Sequence, residues 1–422
     1  MEILEEAMQK FESGKVDEGL NMLKYITKHS KDKTVLYQVA QTYSNYGFLQ
    51  EALELARKLL KKYPDEEEFI LLAADCLIEL GDDLQAIEYL DSIKKSSGYY
   101  LTSLLMLADL YQLQGLEEVA ENKLLEAYRL NQKEPIIWYA LAEFYLNQGE
   151  YYKASLYYEK LLKDKEYSSD ETINLHFAET LTMLGQFENA LPYYEKGLKS
   201  ENNLDGLFRY GYTAYKAEKY EKAIQILNKL QQLDPQYTTL YPILANAYVQ
   251  TKQTEKAIEI LKEGLTYDEF NSELYVLIGK LYIKAGKHTE AEKYLEKALT
   301  LNTPSLETVE AYLSILKEKE DYDGIIAFIQ QLKDKYDDID PVLDWELAKA
   351  YEQIENYDEA HKYYKACYPY LENDSQFLEQ YGYFLMEEGH IEEAKKCFTK
   401  ALEIDDQLFH LEELIEELEN KL

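Results

Sequence analysis

Trp138-Tyr-Ala-Leu-Ala-Glu-Phe-Tyr145 runs through Gly149-Glu-Tyr-Tyr-Lys-Ala154 to Tyr158-Glu-Lys, and the spacing of its small and bulky residues decides the fold. Ala142 stands twelve positions before Ala154, Tyr145 nine before it, and Tyr158 four after it. Such offsets gather apolar residues on one face of each of two helices joined by a turn at Gly149. Two small residues at fixed offset suit an antiparallel pair whose backbones cross closely, because a side chain larger than a methyl holds them apart.

The place held by Ala154 recurs along the chain as Gly19, Ala52, Ala86, Ala120, Ala190, Ala223, Ala257, Ala291, Ile325, Ala360 and Ala394. Steps between these markers are 33, 34, 34, 34, 36, 33, 34, 34, 34, 35 and 34 residues, so one helical unit repeats twelve times. The partner small site twelve before each marker is Ala7, Ala40, Ala74, Ala108, Ala178, Gly211, Ala245, Gly279, Ala348 and Gly382, with Leu313 as the exception. Bulky residues follow each marker by four, as Leu90, Leu124, Tyr194, Leu227, Leu261, Leu295, Ile329, Tyr364 and Phe398, and fill the space between one pair and the next.

These segments, together with Gly286-Lys-His-Thr-Glu-Ala291 and Leu295-Glu-Lys-Ala-Leu-Thr300, resemble the tetratricopeptide repeat. The match holds register over nearly all of the chain. It implies an all-α fold, a right-handed superhelical solenoid of antiparallel helix pairs, with residues 1–406 as one continuous elongated array. Departures are local: Gly19 replaces alanine in the first unit, Ala214 replaces a bulky residue in the seventh, and Leu313 and Ile325 fall together in the tenth. The tenth pair is therefore expected to sit wider apart than its neighbours.

Turn chemistry marks the same boundaries. Gly47, Gly81, Gly115, Gly149, Gly185, Gly286 and Gly389 each lie five before a marker, where a left-handed residue ends the first helix of a pair. Pro64, Pro135, Pro235 and Pro341 fall between units, and Pro192 and Pro242 are placed by counting in the first turn of a helix, where amides are unpaired in any case. The longest step contains Lys165-Glu-Tyr-Ser-Ser-Asp170, a polar stretch that predicts a longer connection and is too short for a domain linker.

The end of an array shows water a face that inner units bury. Residues 407–422 carry Leu408, Leu411, Leu414, Ile415, Leu418 and Leu422 on one stripe between glutamates, which reads as a capping helix or, alternatively, as a short dimerising coil on an otherwise monomeric chain. The opening Met1-Glu-Ile-Leu-Glu-Glu is acidic where a secretory signal would be basic, and no apolar run approaches the roughly 20 residues that span a bilayer. A cytoplasmic location is the simplest expectation. Cys76, Cys367 and Cys397 lack bridge or zinc spacing and read as buried thiols.

Acidic residues number 80 against 45 basic ones, a net charge of −35 that makes phosphate backbones and anionic membranes poor partners. By the family resemblance, the residue eleven before each marker faces the concave groove. In units three to six that position holds Asp75, Asp109, Glu143 and Glu179; Tyr212 follows, and Lys280 and Lys349 come later. Positions eight and seven before the marker add Tyr215, Lys284 and Lys317. Leu71, Leu105, Tyr139, Leu175 and Phe208 supply apolar contacts nearby. The groove thus reads as an acidic ladder, an aromatic centre and a more basic stretch, suited to a protein or peptide segment that is basic and partly apolar.

The six histidines show no metal spacing, there is no Gly-rich phosphate loop, and no residue type is forced by a reaction, so neither an enzyme nor a cofactor is expected. An acid–base pair of His176 with Glu179 can be drawn, but His176 reads as a satisfied surface histidine. The sequence-based expectation is a scaffold or adaptor that captures a partner segment in its groove. The alternative is a structural or regulatory assembly component that associates through its outer face or ends; a ligand-gated sensor would need an output domain for which the repeats leave no room.

Overall fold

The computed structural model describes residues 2–199, 203–301, 303–336 and 340–421, and among them the chain forms twenty-five helices and no strand. Two compact units divide at Glu218 and Lys219, in the turn between the helices Leu204–Lys216 and Tyr220–Leu233 of the seventh repeat. The first unit contains six helix pairs and the first helix of the seventh repeat. The second contains the other helix of that repeat, five pairs and a closing helix. Each is an all-α solenoid of antiparallel pairs, the class of the right-handed α-α superhelix.

All twelve markers and their partners twelve residues earlier are buried, including the departures Leu313 and Ile325. Close crossing is visible where glycine takes the partner site: a Cβ on Gly382 would lie 2.5 Å from Phe398, and one on Gly279 would lie 2.6 Å from Leu295. Glycine and the bulky residue that follows the marker are thus one steric device. In the tenth repeat, where both sites are large, the helices Leu306–Glu318 and Tyr322–Lys335 are the most loosely apposed pair of the second unit, as the side-chain volumes require.

The turn inside each pair is the same throughout. In the fifth repeat the Glu150 amide donates to the Tyr145 carbonyl at 2.9 Å and the Gly149 amide to that of Leu146 at 3.1 Å, which satisfies carbonyls left open at the helix end. Gly149 has a φ of 73°. Four repeats hold this left-handed position without glycine, at Glu218, Lys252, Glu320 and Glu355, with φ between 56° and 62°. A Cβ there presses on the neighbouring carbonyl, and nothing near the corresponding glycines compensates. Lys252→Gly is therefore expected to raise stability by about 0.5–1 kcal/mol in chemical denaturation, and Gly286→Ala to lower it by a similar amount.

One expectation from counting is overturned. Pro192 lies well inside the helix Phe187–Gly197 and not in its first turn, so the Glu188 carbonyl loses the amide that would reach it four residues on. Pro242 does sit in the first turn of Leu240–Gln250. The long connection after Lys163 is present and is held by its own hydrogen bonds, described below.

Tyrosine fills the joints between pairs, and its hydroxyl is met by the abundant acids. Tyr145 donates to Glu121 at 2.7 Å, Tyr158 to Glu143 at 2.5 Å and Tyr364 to Glu352 at 2.8 Å, so rings can be buried without orphaned polar atoms. Lysines lie over other rings, as Lys160 does 4.7 Å from Tyr157. All three cysteines are buried, and burial pushes the thiols of Cys367 and Cys397 up to about 12 and about 11.

The closing helix His410–Lys421 packs its stripe on the preceding pairs. Leu411 and Leu418 are buried there, and Leu408, Leu414 and Ile415 lie against the same core. It lies as a cap, with Leu411 and Leu418 covered and Leu408, Leu414 and Ile415 half-buried; Leu422 lies outside the described residues.

Candidate partner-binding face

Each acid of the ladder sits four residues after one of the apolar candidates on the first helix of its pair: Leu71 before Asp75, Leu105 before Asp109, Tyr139 before Glu143, Leu175 before Glu179. Phe208 precedes Tyr212 in the same way. Residues four apart share a helix face, so each first helix presents one apolar and one polar group side by side. All five apolar members are half-buried, enough to fix them and leave surface for a ligand.

The four acids are not equivalent. Glu143 accepts from the buried Tyr158 hydroxyl at 2.5 Å and lies 2.7 Å from His176 Nδ1, and Glu179 pairs with Arg209 at 3.4 Å. Both are engaged within the protein. Asp75 and Asp109 are exposed and have no hydrogen-bond or ionic partner among the described residues. The loss of solvent around each raises its carboxyl from the ordinary value, with Glu79 adding to the effect at Asp75.

The difference follows from one register. His176 and Arg209 both stand fourteen before their own markers, and each reaches back to the acid of the preceding repeat. In the repeats that follow Asp75 and Asp109 that position is Met106 and Ala140, which offer no charge. The imagined pairing of His176 with Glu179 is replaced by a direct bond to Glu143.

Around Tyr158 the structure gathers Tyr139, Glu143, His176, Glu179 and Arg209 into one network across three repeats. Hydrogen bonding to Glu143 raises the His176 pKa above its usual value, against a smaller opposing effect of burial. A histidine with a raised folded pKa lends stability that is complete below its unfolded pKa and is lost as pH rises through the folded value. Thermal stability of the first unit is therefore expected to fall as pH climbs from about 6.5 through that higher value, and Glu143→Gln is expected to flatten the dependence, as differential scanning calorimetry across pH will show.

The lysines of the second unit are less available than their number suggests. Lys280 pairs with Glu307, while Lys317 and Lys349 both bond Glu346, each at 2.7 Å. Lys349 also lies 4.3 Å from the Trp345 ring, and burial lowers its pKa. Lys284 is exposed and has no partner among the described residues. In the aromatic stretch, Phe208, Tyr212 and Tyr215 are half-buried, and Lys216 lies 5.8 Å from the Tyr212 ring. Arg209, Glu346 and the Tyr158 hydroxyl are site residues that the periodic reading missed; the register fourteen before the marker is the signal that finds the first two.

Among the described residues no group of three or more His, Cys, Asp or Glu could hold a metal ion, and no helix is long and apolar enough to cross a membrane.

Comparison with known proteins gives a consistent family. Residues 112–166 match the family described as YpiA-like, tetratricopeptide repeats, residues 341–406 match YpiA-like, C-terminal tetratricopeptide repeats, and residues 272–303 match the general tetratricopeptide repeat. Among solved structures, YrrB, described as a TPR protein with an unusual peptide-binding site, is 18% identical with a TM-score of 0.39 over 44% of this chain and 96% of its own. The Cut9 and Hcn1 hetero-tetramer of APC/C is 15% identical with a TM-score of 0.38, covering 98% of this chain and 95% of that one. TPR repeat-containing protein YpiA of Bacillus subtilis (strain 168) is 37% identical over 421 residues, 99% of each chain. With that likeness running from end to end, the chain belongs to the YpiA-like family of tetratricopeptide repeat proteins.

Proposed function

We propose that this protein is an interaction scaffold whose first unit captures a basic, partly apolar segment of a partner protein along the face that carries Leu71, Asp75, Leu105 and Asp109. The observation that carries the reading is the pair of acids without partners. Where Glu143 and Glu179 are answered by His176 and Arg209 from the next repeat, the equivalent positions in the repeats after Asp75 and Asp109 hold Met106 and Ala140. Lysine or arginine side chains of a partner would supply the missing charges, while the leucines one turn away take its aliphatic groups. The apolar contacts carry most of the affinity, and the exposed charges set orientation and on-rate. Of the candidate lysines in the second unit, Lys280, Lys317 and Lys349 are internally paired, so the reading rests on the first unit alone.

The test is a double variant, Asp75→Lys with Asp109→Lys, compared with the natural protein in affinity capture and then in calorimetry with the captured partner at two ionic strengths. Folding survives, because exposed sites seldom shift stability by more than about 0.5 kcal/mol each. Partner affinity is expected to fall at least about tenfold and its salt slope to shrink. Unchanged affinity and slope would remove this face from consideration.

A second reading has an observation of its own. Leu84 and Leu113 are 77% and 78% exposed at the turns of the third and fourth repeats, which the Gln114 amide links by donating to Asp83 at 3.3 Å. Association through that edge would be lost in Leu84→Ser with Leu113→Ser and kept in the aspartate variant, so the same capture separates the two.

A further inference from the structure

The longest marker step, 36 residues, separates the fifth and sixth repeats, and the connection within it builds something. Between the helices Tyr151–Lys163 and Glu171–Met183, the Ser168 amide donates to the Asp164 carbonyl at 3.0 Å, the Asp170 amide to that of Tyr167 at 3.0 Å, and the Glu166 amide to Asp164 Oδ1 at 3.0 Å. From below, the fully buried Asn174 ties the loop down, its Nδ2 donating to the carbonyls of Asp170 at 2.7 Å and Ser168 at 3.2 Å. A loop so bonded holds one shape.

That shape sets Tyr167 on one side of a cleft of about 370 Å3, with Tyr139, Pro135, Ile136, Asp170, Thr172 and Ile173 completing the wall. Neither tyrosine hydroxyl has a hydrogen-bond partner among the described residues, and Ile136 is 55% exposed at the mouth. Asp170 is the carboxylate that lines the cleft; from outside it Glu134, Asp164 and Glu166 act electrostatically on Tyr167, and Glu143 joins Asp170 in acting on Tyr139. Asp170 caps the helix that starts at Glu171 by accepting from the Ile173 amide at 2.9 Å, so the positive end of that helix is already answered. Lys133, Lys163 and Lys165 are close in sequence, but none lines the cleft.

Two aromatic rings, an aliphatic wall and the Asp170 carboxylate, with further acids acting from just outside, match one class of side chain. The stem of a lysine or arginine lies along Ile136 and Pro135, and its cationic head sits against the tyrosine rings under the carboxylates. We propose that this cleft is an anchor pocket for a lysine or arginine side chain of the partner segment, built by the 164–170 loop. The proposal extends the groove reading above, since Tyr139 stands at the same register as Leu71 and Leu105, but its test does not use the partner.

The full-length chain carrying 3-fluorotyrosine at position 167 is titrated with the Nα-acetyl methylamides of arginine, lysine and norleucine, followed by fluorine NMR. Arginine and lysine probes are expected to give a saturable shift at millimolar concentration, at least about threefold tighter than norleucine, whose side chain has similar length and no charge. Glu134→Gln with Glu166→Gln removes the preference, and Asn174→Ala weakens both cations by freeing the loop. Norleucine binding as tightly as the cations, or no saturable shift with either cation up to about 50 mM, overturns the pocket. The label at position 139 gives a second reading, so a local disturbance from the first label does not decide the matter. The Asp75→Lys, Asp109→Lys chain keeps its arginine response if the pocket exists, which separates failure of the pocket from failure of the groove.

Discussion

Gly197→Ala is expected to destabilise the sixth repeat by about 3 kcal/mol, although it adds a single methyl group. A Cβ at Gly197 would lie 2.7 Å from the Leu175 amide nitrogen, 2.9 Å from the Glu171 carbonyl oxygen and 3.0 Å from the Leu175 Cα. These are backbone atoms of the opposing helix, and no rotamer change relieves them. The pair must separate, and with it moves His176, the first-helix residue that bonds Glu143 of the fifth repeat. Hydrogen exchange should show Glu171–Met183 and Phe187–Gly197 losing protection together while distant pairs keep theirs, because each pair in a repeat array contacts only its neighbours. Exchange identical to that of the natural protein would mean that the crossing has room the geometry denies it.

The second large effect is at Glu143. A periodic reading treats it as one more exposed acid of a ladder, whose reversal to lysine would leave the fold intact. The structure places it under the hydroxyl of Tyr158, a side chain with no exposed surface, and against His176. Burial beside that carboxylate pushes the Tyr158 phenol far above its ordinary value, so the ring stays protonated and needs an acceptor. Glu143→Lys removes the acceptor and the carboxylate that raises the His176 pKa, and sets an ammonium beside the imidazole. A loss of about 2–3 kcal/mol is expected, and thermal denaturation at pH 6 and pH 8 checks it, since repulsion from charged His176 makes the loss greater at the lower pH. Asp109→Lys, measured beside it, should change stability by no more than about 0.5 kcal/mol.

The contrast between those two acids shows how far the sequence is legible. Fold class, register, repeat number and the buried rows follow from local spacing, because small and bulky residues return every 33 to 36 positions and the contacts they make are to near neighbours in the chain. The loose tenth pair follows from Leu313 and Ile325 in the same way. The Pro192 placement failed because the turn at Gly185 and Gln186 starts the helix at Phe187, five residues before the proline. The left-handed turns at Glu218, Lys252, Glu320 and Glu355 were illegible for a related reason: neighbouring pairs impose the conformation, and the local residue does not advertise it. Within the candidate face, composition reveals an acidic stretch but not which acids are occupied. That depends on what the next repeat places three residues before its own equivalent position: histidine and arginine in two cases, methionine and alanine in two others. The cleft of Tyr139 and Tyr167 is visible in sequence only as two extra residues in one step.

The closing helix has a bearing on how copies of this chain avoid one another. Leu411 and Leu418 lie on the last pair much as the next repeat would lie on it. Remove them, and the twelfth pair offers an apolar seat for the first pair of another copy, whose Ile3 and Met8 are exposed. Such a joint links one end of a molecule to the opposite end of another, a head-to-tail contact that adds copy after copy until a ring closes or a filament grows. The cap is therefore a chain terminator in the polymer sense: without His410–Lys421, the product expected under sedimentation is a ladder of lengthening oligomers.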